Sequence, residues 1–533
     1  MTDLKKTKLA GGSHGMVSSA HPLASKVGRN ILRQGGNAFD AAVAVAAALN
    51  VVEPMMSGMG GYGTILIYAA HERKCRFLNT SGRIPQNIDS DLFRPPTPHY
   101  KANRRGALAI STPVNVRGWQ ALSEEYGKLR WRDILEPAVE LAQNGFLITE
   151  VVARDIQRYF TTFPAHAQRI YSNQGIPLKT GDLLVQKDLA QSLSLIAIEG
   201  PDFFYSGSLG KKIIQSIQLA GGVLSQADMI RCAAEWYEPL SVCYGEHRIF
   251  TASPPATSFA ALIRLGLMSQ FDVASLGHNS ADYLHLFAEA TKFAYRCRLQ
   301  YAADPDITVV PFQELLSEEY WQKSASQLNL TRAIPFQDTW PVTKSGPHTT
   351  HFVVADEVGN IVSATQTIGQ MFGSRIMPTG SGIWMNNSLQ YCSFEPQGNP
   401  MDAHAGRRKL SGDCPVIILR NDQPVMALGT PGGHTITQTV PQIILNLLVF
   451  EMNMAQAIAQ PRISFEEPDQ ILFDAHLPDD VQMDLRSKGH RMQKFMDGLG
   501  NAHGVNLEYD KPRRPVAFAG AADPRGEGLA VGI

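Results

Sequence analysis

The sequence predicts an α+β protein in which helices are layered on sheets. Blocks rich in strand-like runs alternate with blocks that read as helix. The character of the chain also changes at residue 349, from mainly helical before it to mainly strand-like after it. With 533 residues, the chain exceeds what one simple core can use.

The elements follow in order. Residues 16–36 read as a short strand and then a helix ending at Gly35-Gly36. Residues 37–52 are alanine-rich and form a helix able to pack closely on its neighbours. A glycine cluster, Gly58 to Gly63, feeds a strand at 64–68, and residues 115–146 and 185–300 read as mainly helical. Residues 325–348 are polar, with prolines at 335, 341 and 347, and read as an exposed connection. Strands are expected at 350–355, 360–368, 382–387, 415–420 and 424–429, and then a helix at 434–451.

Composition narrows the function. Apolar residues make up 44% and charged residues 18%, with a net charge of −1. Nothing in this balance points to nucleic acid or a membrane surface as a partner. The polar start has no apolar signal-peptide core, and the longest apolar run, 41–48, is far short of a membrane span. The six cysteines form no CxxC pair and read as reduced thiols of a cytoplasmic protein. No HExxH or paired CxxC is present, so neither a catalytic metal nor a cofactor is expected.

The stretch 347–356, PHTTHFVVAD, carries the chemistry. A threonine hydroxyl is a poor nucleophile unless a base takes its proton. Cleavage between His348 and Thr349 would free an α-amine of pKa roughly 7.7–8.0 on the same residue. Thr349 would then hold both nucleophile and base. The alternative is an ordinary buried strand containing two threonines. Asp356 and Asn360 flank Glu357-Val358-Gly359, a three-residue hairpin loop with glycine where a left-handed residue is required. Counting back from it pairs 355 with 361, 353 with 363, 351 with 365, and so 349 with 367. Cross-strand Cβ atoms lie about 5 Å apart, which sets Thr367 beside the freed amine.

Other motifs fit less well. Residues 11–15 match GxSxG but lack the core strand a nucleophile elbow needs. Residues 58–63 match GxGxxG, yet the order is helix, glycines, strand, the reverse of a dinucleotide site. In Thr430-Pro431-Gly432-Gly433-His434, two glycine amides precede a helix and could serve as oxyanion donors or as a plain turn. Arg83 and Arg407-Arg408-Lys409 are candidate carboxylate anchors.

The fragments GGNAFDAAVAVAAALNVVEP, SGMGGYG, GPHTTHFVVAD, GNIVSATQT, GIWMNN, RRKLSGDCP, GTPGGH and AADPRGEG occur in one order across residues 14–530. Together they resemble the γ-glutamyltransferase family of N-terminal-nucleophile hydrolases, which includes cephalosporin-acylase-like members. The resemblance implies a four-layer αββα sandwich, self-cleaved between His348 and Thr349. A large chain, 1–348, and a small chain, 349–533, would stay associated, with a dimer of these units as a further expectation. It makes Thr349 the nucleophile and Thr367 the support of its amine. Gly432 and Gly433 become the oxyanion hole, and Ser411 a ligand of the substrate carboxylate. Arg83, Tyr391, Gly412 and Asn387 complete the expected substrate shell.

Departures from the family pattern bear on specificity. Gly412 stands where the family has a second carboxylate-binding serine, and Gly369 where it has asparagine. Tyr391 stands where it has the aspartate that holds the glutamyl α-amine. The family's arginine aligns poorly, with Arg83 nearest and Ser81 as another counterpart. Losing an acceptor for an ammonium weakens recognition about tenfold or more. The expected activity is hydrolysis, more than transpeptidation, of a small-molecule amide with a γ-glutamyl or related carboxylated acyl group. The alternatives are a glutaryl- or oxamate-type amidohydrolase without amine recognition and an inactive scaffold.

Overall fold

A computed structural model describes residues 8–336 and 348–533, apart from 468, 497 and 511–513. Two seven-stranded sheets dominate it. In the first, the strands run in the order Lys8–Gly12, Ala517–Ala522, His503–Glu508, Gln423–Gly429, Val416–Arg420, His247–Thr251, Leu240–Tyr244. In the second, the order is Leu529–Gly532, Gly15–Ser19, Thr350–Asp356, Ile361–Thr367, Tyr62–Ala69, Lys74–Thr80, Glu235–Tyr237.

Three apolar layers hold the stack together. Phe352, Val354, Val362 and Ala364 pack against helices that include Pro22–Arg33, Ala38–Val52 and Trp131–Asn144. Val353, Ala355 and Ile361 point the other way and meet Ile417, Ala427 and Val505 of the facing sheet. Ile418 and Leu428 in turn pack on helices Phe259–Met268, Ala281–Tyr301 and Ile436–Leu448. The result is helix, sheet, sheet, helix, the four-layer αββα sandwich. Both faces of each central strand are covered, so these strands read as dense apolar runs.

Residues on either side of position 349 are interleaved in both sheets. Thr350–Asp356 pairs with Gly15–Ser19 on one flank and with Ile361–Thr367 on the other. Ile361–Thr367 pairs with Tyr62–Ala69, and Val416–Arg420 with His247–Thr251. Lys8–Gly12 closes the edge of the first sheet against Ala517–Ala522.

The hairpin register is the one counted from the turn. Ala355 faces Ile361, Val353 faces Ser363 and His351 faces Thr365. Gly359 adopts φ 92°, the left-handed conformation the loop needs. The segment 185–300 is mainly helical, as expected, and also holds a hairpin, Leu240–Tyr244 with His247–Thr251, which turns at Gly245-Glu246 and extends the first sheet. One expectation is corrected. Residues 382–387 form no strand, because their amides bond to three separate segments. Met385 donates to Ile376, Asn386 to Gly60 and Asn387 to Ile368. Of the connection expected at 325–348, residues 337–347 lie outside the described residues. All six cysteines are free, with only Cys243 exposed. Among the described residues, no helix is long and apolar enough to cross a membrane.

Candidate active site

Thr349 sits immediately before the strand Thr350–Asp356, buried, with φ 111°. A β-branched residue at positive φ is a genuine outlier, costing about 1–3 kcal/mol and held only by its surroundings. Continuing the ladder from the Thr350–Gln366 pair sets Thr349 opposite Thr367. The Thr367 hydroxyl accepts from the Gly369 amide at 2.9 Å. Gly369 itself has φ 93°, and a Cβ there would lie 2.2 Å from Asn387 Oδ1. Asn387 lies behind this turn, accepting from the Gln370 amide at 2.9 Å. It lines neither cavity described below.

Two cavities meet at Thr349. The smaller, with about 20 Å³ for the centres of water-sized molecules, is shared by Thr349, Thr367, Ser411, Gly412, Gly433 and Tyr391. Lys409, Asp413, His434 and Arg298 also line it. The larger, about 150 Å³ by the same measure, brings Glu53, Arg154, Arg158, Asn501, Arg525 and Glu527 to the other side of Thr349.

Of the two glycines expected to hold an oxyanion, Gly433 lines the smaller cavity and Gly432, just before it, does not; they take φ 61° and 141°. Gly432 O accepts from both the amide and the hydroxyl of Thr435, which fixes the turn into helix Ile436–Leu448. Gly412 lies directly against this turn: a Cβ on it would come within 2.6 Å of the Gly433 carbonyl oxygen. Ser411 Oγ accepts from the Asp413 amide at 3.1 Å. Its carbonyl accepts from Thr257 on the loop before helix Phe259–Met268.

The cations are distributed differently from the sequence-based expectation. Arg83 does not line the cavity; its guanidinium donates to Glu235 at 2.9 Å and to the Gly406 carbonyl at 3.1 Å. Glu235 belongs to a strand that sequence reading missed. Ser81 is also absent from the lining and donates to the Lys409 carbonyl at 2.7 Å. Lys409 does reach the cavity, its ammonium 3.3 Å from the centre of the Tyr62 ring. Burial lowers its pKa to about 7, while the nearby Asp413 carboxylate pulls it back up. Asp413 is raised, first by burial.

Arg298, on helix Ala281–Tyr301, is a lining residue that sequence reading did not single out. Its Nη2 lies 3.1 Å from His434 Nδ1. Guanidinium only donates, so His434 Nδ1 accepts and the ring proton resides on Nε2. Burial, reinforced by Arg298 and Lys409, keeps His434 neutral. Its ring meets Tyr391 edge-on at 6.0 Å.

In the larger cavity, Glu53 Oε2 accepts from the Thr350 hydroxyl at 3.0 Å. Burial raises its pKa from 4.5 to about 8, with smaller contributions from Glu527 and Asp155. The folded state therefore holds a proton that the unfolded state releases above pH 4.5. This contribution to stability is complete below that pH and is lost as pH rises towards 8. Glu53→Gln should remove the loss, which is of the order of a few kcal/mol. Urea midpoints at pH 5 and pH 8 check this: the midpoint should fall with pH in the parent and fall less in the variant. An equal fall in both would refute it.

Among the described residues, His285, Glu289 and His490 form a cluster with metal-like spacing. It lines neither cavity. Its atoms are engaged locally: His285 Nδ1 lies 2.8 Å from His490 Nε2, and Glu289 pairs with Lys292 at 3.1 Å.

Known proteins are similar to this chain along nearly its whole length. The family model described as Gamma-glutamyltranspeptidase matches residues 24–533. A glutathione hydrolase proenzyme of Bacillus subtilis (strain 168) is 32% identical, the match covering 98% of this chain and 92% of that protein. An acylase ACY 1 proenzyme of Pseudomonas sp. (strain SE83) is 33% identical, covering 99% and 95%. The crystal structure of a cephalosporin acylase from Bacillus halodurans superposes with a TM-score of 0.89 at 26% identity, covering 98% of this chain and 97% of that one.

Proposed function

Since the chain belongs to the gamma-glutamyltranspeptidase family, we propose that it is a self-processing amide hydrolase whose nucleophile is Thr349. The observation that carries this reading is the position of Thr349. It is a strained, buried threonine at the head of a strand, on the wall of a cavity that also holds Thr367, Ser411 and Gly433.

In the first step the Thr349 hydroxyl oxygen attacks the His348 carbonyl carbon. An ester forms as the peptide C–N bond breaks, and the hydroxyl proton passes to the departing nitrogen, which becomes the new α-amine. Water hydrolyses the ester, leaving chains 1–348 and 349–533. The freed amine, supported by Thr367, then takes the hydroxyl proton as Thr349 attacks a substrate amide. Gly432 and Gly433 amides hold the developing oxyanion. The proton passes to the leaving amine, and water releases the acyl group by the same route. Fold strain at Thr349 favours the first step, because cutting the peptide frees φ of that residue.

The substrate is an amide with a small carboxylated acyl group, and hydrolysis is favoured over transfer. Tyr391 and Lys409 in the cavity favour the glutaryl-type reading over a strict γ-glutamyl one, since Tyr391 brings no carboxylate to pair with a substrate ammonium and the Lys409 ammonium only donates. N-terminal sequencing of the smaller fragment of purified protein is the test. A sequence beginning at Thr349 supports the reading, and a persistently intact chain removes the base on which it depends.

Gly412 gives a second check. Gly412→Ser would restore the family residue, but its Cβ must push the Gly433 carbonyl aside. Displacing an oxyanion donor by a fraction of an ångström to 1 Å costs about 10²-fold. We expect kcat on an anilide substrate to fall by about that factor. An unchanged kcat would exclude Gly433 from the oxyanion hole.

A further inference from the structure

The smaller cavity carries more positive charge than the reaction itself explains. Its lining residues include two cations, Arg298 and Lys409, and one carboxylate, Asp413. Lys409 and Asp413 are neutral as a unit whether or not a proton passes between them, and His434 is neutral. One positive charge, that of Arg298, is left over. Arg298 is 3% exposed. Its Nη2 is fixed by His434, and its Nη1 is buried with no hydrogen-bond partner among the described residues. A buried donor without an acceptor costs about 1–3 kcal/mol or more, so such a group in a ligand cavity points to the ligand. Guanidinium is also the side chain best shaped to hold a carboxylate, and here its plane is set in advance by the second nitrogen.

Lys409 adds the second half. Its ammonium lies on the Tyr62 ring, 5.9 Å from the centre of the Tyr391 ring, in an aromatic setting suited to a cation. A substrate ammonium brought into the same cavity would add a third cation beside one carboxylate already balanced by Lys409.

We propose that Arg298 reads the carboxylate of the acyl group, and that Lys409 occupies with its own ammonium the place a substrate α-ammonium would take. The site then accepts a dicarboxylic acyl group without an α-amine. This rests on the proposed amide hydrolysis at Thr349 and names its substrate class. Ser411, on the same cavity wall, is the second donor to that carboxylate. Arg298 is thus a specificity-determining residue contributed by the part of the chain before the cut.

Three anilides separate the contributions: γ-glutamyl has amine and carboxylate, glutaryl has carboxylate only, and butyryl has neither. The parent should hydrolyse glutaryl anilide with kcat/KM about tenfold or more above butyryl and above γ-glutamyl anilide. Arg298→Gln should collapse the glutaryl-to-butyryl ratio, mainly through KM, and Arg298→Lys should recover part of it. Lys409→Met should move the preference towards γ-glutamyl. Self-cleavage of each variant into the same two fragments reports folding independently of acyl reading. A parent that prefers γ-glutamyl over glutaryl overturns the inference, whatever the variants do. So does a glutaryl-to-butyryl ratio unchanged in a self-cleaved Arg298→Gln. If the parent releases none of the three anilines and its mass shows no acyl group on Thr349, the proposed hydrolysis itself fails. Turnover of all three without preference removes only the assignment of Arg298 and Lys409.

Discussion

Thr349→Ala should yield a single uncut chain of 58.4 kDa with no measurable amide hydrolysis. Two losses combine in it. Without the hydroxyl, the His348 carbonyl has no internal attacker, so the α-amine is never released. Without that amine, a substrate would meet neither nucleophile nor base. Removing a nucleophile that acts as a unit with its base costs about 10⁴–10⁶ in kcat. Thr349→Ser keeps the hydroxyl and should still cut. Intact mass of the three proteins decides the matter. Fragments ending at His348 and beginning at residue 349 in the parent and the serine variant, but not in the alanine variant, are the expected result. Cleavage that persists in Thr349→Ala would move the nucleophile elsewhere. Thr349→Gly offers a control for strain: at φ 111° glycine bears no Cβ penalty, so this uncut variant should be more stable than Thr349→Ala by about 1–2 kcal/mol.

Asp523→Ala should destabilise the fold by about 3–5 kcal/mol. Asp523 is fully buried and accepts from Arg462 at 2.8 Å, from the Arg525 side chain and amide at 3.0 Å, and from the Ala502 amide at 2.9 Å. Asp474 completes the cluster, accepting from Arg525 at 2.7 Å and from the amides of Arg462 and Leu499. The alanine variant would leave two guanidinium groups sharing one carboxylate in the interior. Those arginines hold Asp523 well below the usual carboxylate range, against the opposing effect of burial. Its stabilisation is therefore present above the unfolded value and is lost as pH falls through the folded one. Urea midpoints at neutral pH and in acid check both parts. The gap between parent and variant should be wide at pH 7 and narrow in strong acid. The cluster also secures the loop carrying Gly500 and Asn501 on the wall of the larger cavity, so the variant should lose activity at temperatures where the parent retains it. A gap below 1 kcal/mol at pH 7 would refute the assignment.

The hairpin that carries Thr349 and Thr367 was legible because its information is local. The turn at 357–359 and a period of two along each strand fix the register, and with it the partner of Thr349, from a few consecutive residues. The layered architecture was legible for a similar reason, since fully covered strands and alanine-rich helices announce themselves by composition. The rest of the cavity lining was not. Whether an arginine is free depends on what folds against it, and Arg83 is claimed by Glu235 on a strand read as helix. Arg298 belongs to a long, mostly buried helix, and nothing beside it in the sequence marks one guanidinium nitrogen as facing a cavity. The same holds for Gly412: its sequence position shows a missing serine, and only packing against the Gly433 carbonyl explains why a side chain does not fit.

Each sheet draws strands from both sides of residue 349, and this changes the thermodynamics of the protein once it is cut. Before the cut, refolding is a unimolecular search along one chain. Afterwards it needs two polypeptides to meet, and each alone would expose unpaired strand edges prone to aggregation. The mature protein should thus hold its shape through a slow rate of unfolding more than through a reversible equilibrium. Its heat inactivation should be irreversible, while the uncut Thr349→Ala chain should regain its fold on cooling at low concentration. Cleavage would then act as a ratchet: the chain folds once as a precursor and is afterwards maintained kinetically.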